Sequence, residues 1–300
     1  FMSKILILGA KGSLGQELVK VFSQGVGHPI GCPTPKNEVI PWDREEVDIT
    51  DKDLVFKKVK DVKPGIIINA AAYNAMDKCE TDEKEFELAK KINSEAVGYL
   101  AESALEVGAL LVYYSTDYVF DGKKKTGYKE DAEAHPISKY GETKLAGERA
   151  LIALSGRGLK WYLIRTSKLF GPKGESEMAK ESFFDLILRL SKERKEFNMV
   201  HNEEVSCFTY TPDLARATKE LIESNKGYGI YHITNSGPCS WYEAAKYLFE
   251  LKKITDVKLN AVASSDYPRP AKRPKYSVLL NTKLEPMRNW QEALKNYLKM

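Results

Sequence analysis

The segment Lys4-Ile-Leu-Ile-Leu-Gly-Ala-Lys-Gly-Ser-Leu-Gly15 decides the fold of this chain. A short apolar run leads directly into three glycines, and the following residues have the apolar spacing of a helix. In a dinucleotide-binding βα unit, Gly9 would make the tight turn, Gly12 would let the backbone approach a pyrophosphate, and Gly15 would let the helix pack closely on the sheet. The same glycines would also suit a plain tight turn, but their position after the first strand favours a dinucleotide site.

The alternation of short apolar runs and helical patterns continues through the first half of the chain. Short apolar runs predict further strands at Glu38–Trp42, Ile66–Asn69, Leu110–Tyr114 and Tyr162–Arg165. Helical patterns predict helices at Gln16–Phe22, Glu83–Val107 and Ser138–Leu154. Because strands and helices alternate, the predicted fold class is α/β, a Rossmann-type doubly wound parallel sheet with a smaller C-terminal substrate-binding lobe.

The pattern changes after Gly171-Pro172, and this change suggests the domain division. We expect a helix at about 180–193, a short strand and a helix opened by Thr211-Pro-Asp213. Residues 2–170 are expected to form the NAD(P)-binding domain, with a later contribution from about 198–226. Residues 171–197 and 227–300 are expected to form the smaller lobe. Gly25–Asn37, with three glycines and three prolines, is predicted to be a surface loop.

Composition excludes several classes of protein. The 300 residues are 43% hydrophobic and 29% charged, as in ordinary folded proteins. Lys+Arg of 46 and Asp+Glu of 42 are interleaved, so no nucleic-acid partner is expected. The longest apolar stretches fall short of the ~20 residues of a membrane helix and no signal peptide pattern is seen, so we expect no membrane partner and a cytoplasmic location. The cysteines, which lie far apart without metal-ligand spacing, are expected to be reduced thiols: Cys32, Cys79, Cys207 and Cys239.

The coenzyme choice is left open by the residues that follow the second predicted strand. Asp43 could bind the ribose 2′-hydroxyl of NAD, whereas Arg44 beside it could accept the 2′-phosphate of NADP. Either residue would also be unremarkable as a solvated loop charge. Asp48 and Ile49 lie where a short loop could bring them against the adenine. The expected coenzyme is therefore NADPH or NADH.

Tyr140 and Lys144 are the candidate catalytic residues. Residues four apart on a helix share a face, so the lysine charge is expected to lower the pKa of the tyrosine, which would act as a general acid. Tyr242 and Lys246 have the same spacing, but Ser240 and Glu243 predict a capping box at the start of a late helix. That second pair is therefore interpreted as structural.

Polar residues at the ends of two predicted strands favour the first pair. Thr116 and Asp117 follow one strand, and Asn69-Ala-Ala-Ala-Tyr73 ends another. Because ligands bind at the carboxyl ends of parallel strands, these residues are expected to face the cofactor crevice. The small side chains of Ala71 and Ala72 would allow close passage of a cofactor, although a packed sheet edge would explain them equally well.

Several segments together resemble the dTDP-4-dehydrorhamnose reductase family of the extended short-chain dehydrogenase/reductase superfamily. They are the glycine turn Gly9–Gly15, Asn69-Ala-Ala-Ala-Tyr-Asn-Ala-Met-Asp77, Ser115-Thr-Asp-Tyr-Val-Phe-Asp-Gly122, Tyr140-Gly-Glu-Thr-Lys-Leu-Ala-Gly-Glu148, Arg165-Thr-Ser167 and Arg273-Pro274. The resemblance covers nearly the whole chain. It implies reduction by NADPH or NADH of the C4 ketone of a nucleotide-linked 6-deoxysugar.

The resemblance also implies roles for individual residues. Tyr140 would protonate the forming alkoxide, Lys144 would hold the nicotinamide ribose, and Thr116 would hydrogen-bond the ketone oxygen. Thr116 and Asp117 would contact the sugar. The phosphate turn of the family is matched by Gly12, Ser13 and Leu14. Its nicotinamide-side wall is matched by Ala72, Tyr73, Asn74 and Tyr114.

The chain departs from the family pattern on the sugar side. Lys168 stands where the family has tryptophan after Arg-Thr-Ser, and the family's Asp-Gln and Pro-Thr elements appear as Asn202-Glu203 and Phe208-Thr209. A sugar ring cannot stack on a lysine, so Lys168 would instead reach a diphosphate or an acidic group of a different sugar nucleotide. These departures leave the precise sugar open.

Two other functions compete with the reductase. The regulatory β subunit of methionine adenosyltransferase resembles the same family and binds a protein partner without turnover, and an epimerase or dehydratase would recycle its bound cofactor. Family resemblance is compatible with a homodimer. Some relatives are described with Mg²⁺, but the sequence has no carboxylate cluster that requires a metal, so no metal ligand is predicted.

Overall fold

The computed structural model describes residues 4–24, 37–176, 179–224 and 226–299. All but the last residue of the predicted loop Gly25–Asn37 lies outside these ranges, as does Cys32. The described strands are β1 (Lys4–Leu8), β2 (Glu38–Trp42), β3 (Ile66–Asn69), β4 (Leu110–Thr116), β5 (Lys160–Thr166), β6 (Leu169–Phe170), β7 (Glu196–Val200), β8 (Thr209–Tyr210), β9 (Gly229–His232), β10 (Asn235–Ser236), β11 (Lys258–Val262) and β12 (Met287–Asn289).

Six of these described strands form one parallel sheet in the order β2-β1-β3-β4-β5-β9. The strand order reverses at β1, because β2 lies on one side of β1 and β3 lies on its other side. Leu8 at the end of β1 is paired with Asn69 at the end of β3. The loops that follow these two strands therefore lie side by side at the carboxyl edge, where doubly wound sheets bind ligands. The predicted fold class is confirmed.

Helices cover both faces of this sheet. The described helices are α1 (Ser13–Ser23), α2 (Lys52–Val62), α3 (Met76–Thr81), α4 (Glu83–Lys90), α5 (Ala96–Val107), α6 (Lys139–Ile152), α7 (Phe183–Ser191), α8 (Thr211–Glu223), α9 (Trp241–Lys252) and α10 (Trp290–Tyr297). Helices α1 and α8 pack on one face, and α2, α5 and α6 pack on the other. Every strand of the sheet therefore has apolar contacts on both sides, which explains its continuous apolar runs.

The predicted helices differ in detail from the observed ones: α1 begins three residues before Gln16, α6 ends two residues before Leu154, and two others differ more. The pattern at Glu83–Val107 is interrupted by a π-helical turn at Lys91–Glu95 between α4 and α5. The helix predicted at about 180–193 begins only at Phe183, because the Ser182 hydroxyl accepts the backbone N–H of Asp185 and caps the first turn.

The C-terminal part has its own apolar core and three described two-stranded sheets, β6-β8, β7-β11 and β10-β12. Two strands differ from the expected division. Gly229–His232, expected in the smaller lobe, pairs with β5 in the large sheet, and Glu196–Val200, whose last residues were expected to contribute to the large domain, pairs with β11. We therefore propose a division into two lobes in which β9 belongs to the large domain and β7 belongs to the smaller lobe.

Gly15 offers a test of how closely α1 packs on the sheet edge. A Cβ atom at this position would lie 2.0 Å from the carbonyl oxygen of Gly9. We expect Gly15→Ala to destabilise the protein by about 1–3 kcal/mol, as overpacking does, and to weaken dinucleotide binding. Gly156→Ala is the matched control, because no atom lies within 4 Å of a Cβ placed there. Equal unfolding midpoints in denaturant for the two variants would contradict the prediction.

Candidate active site

The glycine turn joins β1 to α1 with the geometry that the sequence predicted. Gly9 has a φ of +72°, and a Cβ atom there would lie 2.7 Å from the backbone nitrogen of Ala71. Gly12 precedes the first turn of α1, which contains no acidic residue. The positive end of the helix dipole is therefore free of a competing carboxylate from that turn, and this suits a diphosphate.

A later segment lies against this turn. The hydroxyl of Ser13 donates to the carbonyl oxygen of Pro172 at 3.0 Å. The backbone N–H of Ser176 donates to the carbonyl oxygen of Lys11 at 3.1 Å. Leu14 is buried in the core between α1 and the sheet. Of the residues expected at the phosphates, Ser13 thus has its hydroxyl engaged, and Leu14 contributes its backbone only.

The residues expected near the adenosine follow β2. The carboxylate of Asp43 accepts the backbone N–H groups of Lys11 at 3.0 Å and of Arg44 at 2.9 Å, so it ties the loop after β2 to the glycine turn. The side chain of Arg44 is exposed. Asp48 is also exposed and accepts two hydrogen bonds from Thr50, which lower its pKa, whereas Ile49 is buried in the core. Both Asp43 and Arg44 therefore lie beside the glycine turn.

Two tyrosines predicted to wall the nicotinamide side have their rings elsewhere. The ring of Tyr73 packs in the core, and its hydroxyl donates to Glu85 of α4. The ring of Tyr114 packs on the opposite face of the sheet, where its hydroxyl bonds Thr218 of α8 at 2.7 Å. Their backbones remain at the sheet edge, next to the exposed side chains of Ala72 and Asn74 and the half-buried Ala71.

Tyr140, Lys144 and Thr116 are brought together at the end of β4. Tyr140 is in the first turn of α6, which Ser138 caps, and the hydroxyl of Thr116 acts on the pKa of its phenol. The ammonium of Lys144 donates to the carbonyl oxygen of Tyr114 at 2.7 Å. The three candidate catalytic side chains are thus buried at the carboxyl edge of the sheet.

The pKa shifts differ from the prediction made for the tyrosine and lysine. Burial raises the pKa of Tyr140, opposed by its hydrogen bond with Thr116. Burial also lowers the pKa of Lys144 to about 7, opposed by Glu148. Lys144 is not among the groups that act on the pKa of Tyr140 in this structure: its ammonium donates to the carbonyl oxygen of Tyr114 and lies over the ring of Tyr113, so its effect on the phenol through a bound coenzyme stays a prediction.

Asp117 and Lys168, the predicted sugar contacts, lie in the same region. Asp117 is buried, and its carboxylate accepts Ser277 Oγ at 2.6 Å and Thr116 Oγ1 at 3.2 Å. Burial raises the pKa of Asp117 to about 6, opposed first by Ser277 and then by the charge of Lys168.

Lys168 has internal partners rather than a free ammonium. Its Nζ donates to the carbonyl oxygen of Glu204 at 2.7 Å and lies 4.3 Å from the ring centroid of Trp241. Burial lowers its pKa to about 8. Two other departures also have structural contacts: Phe208 is fully buried in the core of the smaller lobe, and Glu203 is paired with Lys275.

Sequence reasoning missed three contacts that hold the site together. Arg165 and Glu148 each lie in a segment that resembles the family. They form a buried bidentate ion pair between β5 and α6. Asp77 and Arg273, also inside quoted motifs, pair across the chain at 2.6 Å. The Ser277 contact with Asp117 has no motif that could have revealed it.

The second tyrosine–lysine pair is on a different element. Ser240 and Glu243 form the predicted capping box at the start of α9. Tyr242 packs against His201 with ring centroids 4.8 Å apart. Tyr242 therefore lies in the smaller lobe, beyond the end of β7, and not at the carboxyl edge of the large sheet where Tyr140 lies.

Buried polar atoms at the sheet edge fit a nucleotide. Among the described residues, Asn69 Nδ2, Ser115 Oγ and Thr166 Oγ1 are buried without a hydrogen-bond partner, and they lie at the carboxyl ends of β3, β4 and β5. Buried polar groups are normally satisfied, so these atoms suit a polar ligand in the crevice. In the described ranges, no three His, Cys, Asp or Glu side chains are grouped as metal ligands would be. No described helix has the length and apolar character needed to cross a membrane.

Comparison with known proteins decides the family. The family model described as the RmlD substrate binding domain matches residues 3–300. The chain belongs to this family. A curated relative, dTDP-4-dehydrorhamnose reductase of Aggregatibacter actinomycetemcomitans, is 37% identical over 98% of this chain and 98% of its own. The resemblance inferred from the motifs is therefore confirmed.

Solved structures of RmlD-family proteins agree. A dTDP-4-dehydrorhamnose reductase ortholog from Clostridium acetobutylicum is 41% identical, with a TM-score of 0.85 over 99% of this chain and 98% of its own. The dTDP-4-dehydrorhamnose reductase of Bacillus anthracis, solved in complex with NADP, is 34% identical, with a TM-score of 0.86 over 100% of this chain and 99% of its own.

Proposed function

We propose that this chain, a sugar-nucleotide reductase, uses NADPH or NADH to reduce the C4 ketone of a nucleotide-activated 6-deoxy-4-keto sugar, with Tyr140 as the general acid. The observation that carries the proposal is the buried grouping of Tyr140, Thr116 and Lys144 at the carboxyl end of β4. The names of the RmlD-family relatives, and NADP in one of their structures, support the substrate class and the coenzyme.

The nicotinamide coenzyme, when bound, supplies the hydride. The turn Gly12–Leu14 would hold its diphosphate, and the strand ends near Asn69 and Ala71 would line its path. Thr116 would hydrogen-bond the ketone oxygen and orient it toward Tyr140. Because burial keeps the phenol of Tyr140 protonated, its O–H is ready to protonate the alkoxide as negative charge develops on that oxygen.

Lys144 would position the coenzyme rather than acidify the phenol. Its ammonium is fixed on the carbonyl oxygen of Tyr114, next to the strand end that carries Thr116. With a pKa near 7, its charge is sensitive to a neighbouring hydroxyl or phosphate. Lys168 would narrow the sugar pocket together with Trp241, because its ammonium is already hydrogen-bonded within the chain.

The test is loss of NADPH or NADH absorbance when purified protein is mixed with freshly generated dTDP-4-dehydrorhamnose. We expect net oxidation of the coenzyme in proportion to the sugar added. Conversion of the sugar without net oxidation would indicate an epimerase or dehydratase instead. Coenzyme binding without any turnover of this or other keto-sugar nucleotides would indicate a regulatory, partner-binding protein.

Arg44 is expected to favour NADPH over NADH. Its side chain is exposed on the loop that Asp43 ties to the glycine turn, while Asp43 is already bonded to two backbone N–H groups. A hydrogen bond to a charged group is worth about 1.5–3 kcal/mol, so Arg44→Ala should lower kcat/KM for NADPH about ten-fold or more and leave that for NADH nearly unchanged. Arg157→Ala, at an exposed turn, is the control. Equal losses with both coenzymes would contradict a 2′-phosphate contact.

A further inference from the structure

A hydrogen-bond chain runs from the C-terminal segment into the candidate active site. Ser277 Oγ donates to Asp117 Oδ2 at 2.6 Å, and Thr116 Oγ1 donates to Asp117 Oδ1 at 3.2 Å. Thr116 acts in turn on Tyr140, because its hydroxyl opposes the rise of the tyrosine pKa. All four residues are buried, with at most 9% of their surface exposed. The chain thus links Ser277, which is outside every catalytic motif, to the proposed acid.

We propose that Ser277 and Asp117 set the direction of this hydrogen-bond chain, which makes Ser277 a positioning residue for the reduction. This inference rests on the proposed function of Thr116 and Tyr140. A threonine hydroxyl has a single hydrogen. While Thr116 donates that hydrogen to the carboxylate of Asp117, it has none to donate to the ketone oxygen of the substrate.

Protonation of Asp117 reverses its hydrogen bond with Thr116. A carboxylic acid has one O–H donor. Because Ser277 already donates to Oδ2, the acid proton is left for Oδ1, the oxygen that faces Thr116. Asp117 then donates to Thr116 Oγ1, and the hydrogen of Thr116 becomes available to the ketone oxygen. No covalent bond to the substrate is involved: Asp117 takes up one proton, only the bond between Asp117 and Thr116 changes its donor, and Ser277 donates to Oδ2 in both states.

The groups around Asp117 place this protonation in an accessible pH range. Burial raises the pKa of Asp117 to about 6, while Ser277 and then the ammonium of Lys168 lower it. The other titratable groups that act on Asp117 are uncharged near this pH because burial raises the pKa of each: Tyr118, Tyr140 and Cys207. Lys144 adds a separate ionisation near pH 7, but its hydrogen bond goes to Tyr114 and not to this chain.

The test is the pH dependence of kcat/KM in wild type, Ser277→Ala and Ser277→Thr. In wild type, kcat/KM is expected to rise as the pH falls through the pKa of Asp117. Removing the Ser277 hydroxyl removes a bond that stabilises the carboxylate, so the midpoint should move up by about one pH unit in Ser277→Ala. Ser277→Thr should restore it. A uniform loss of activity with an unchanged midpoint would show a merely structural role and overturn the proposal.

A second variant and a control keep the result interpretable. Asp117→Asn removes the titrating group, so the step near pH 6 should disappear; its persistence would overturn the proposal even if Ser277→Ala fails to fold. Ser236→Ala is the matched control, because the Ser236 hydroxyl donates to a backbone carbonyl in β12 and not to a carboxylate. If the wild-type protein does not reduce the keto sugar, the proposed function itself is refuted. If it does, but the pH dependence of kcat/KM has the same midpoint in wild type and Ser277→Ala, only this inference is refuted.

Discussion

Replacing Tyr140 with phenylalanine is expected to lower kcat for reduction of the keto sugar by about 10²–10⁴-fold, the range of a lost general acid. The variant removes only the hydroxyl. The ring keeps its place in the core and its edge-to-face contact with Tyr118, whose centroid is 5.8 Å away. KM and the affinity for NADPH should therefore stay close to wild type, and steady-state kinetics with a coenzyme-binding titration would measure both.

Tyr242→Phe provides the matched control. Tyr242 has the same spacing to a lysine and is also in the first turn of its helix, but it lies in the smaller lobe against His201. Its kcat should equal that of wild type. A similar fall in both variants would show that the loss reflects general damage, and a small fall in Tyr140→Phe alone would assign the proton transfer to another group, such as Thr116 with water.

The apolar runs located the strands of the large sheet closely, although β5 begins two residues before and ends one residue after the predicted Tyr162–Arg165. Strands β1, β2 and β3 have the predicted bounds, because each apolar run is bounded by residues that leave the sheet. Strand β4 extends two residues further than predicted, to Thr116, because Ser115 and Thr116 continue to pair with β5. Polar residues at a strand end are compatible with either strand or loop, so sequence alone did not place this boundary.

Side-chain direction within those strands was not predictable. Adjacent residues on a strand point to opposite faces, and both faces of this sheet are apolar. Tyr113 and Tyr114 therefore look equivalent in the sequence, yet Tyr113 packs with α6 and Tyr114 with α8. Only the packed structure shows that Tyr114 offers the site its carbonyl oxygen, which holds Lys144, rather than its ring.

Contacts between distant segments were also beyond the sequence. Ser277 and Asp117 are 160 positions apart, and a single serine near the end of the chain has no local pattern that marks a partner. Arg165 and Glu148 are within quoted motifs, but a motif match does not state which residues touch. The motifs thus identified the candidate reacting groups, whereas the tertiary fold was needed to find the groups that position them.

Truncating Glu148 to alanine is expected to destabilise the fold by about 3–5 kcal/mol, the cost of leaving a buried charge unpaired. Glu148 accepts Arg165 at 3.0 and 2.7 Å, and the two side chains are only 1% and 4% exposed. The guanidinium would keep a hydrogen bond to the carbonyl oxygen of Glu130 at 3.4 Å and its contact with the ring of Phe120, neither of which carries a charge. Chemical denaturation with urea would measure the loss.

The same ion pair should be replaceable as a unit. Desolvation of both charges offsets much of their attraction, so Glu148→Leu combined with Arg165→Met should recover most of the stability lost in Glu148→Ala. Glu106→Ala removes one partner of the exposed pair with Lys60 and should cost at most about 1 kcal/mol. If the double variant is as unstable as Glu148→Ala, the pair stabilises the fold by its own interaction. If the double variant recovers its stability but not its kcat, the ion pair is needed to orient α6, the helix that carries Tyr140 and Lys144.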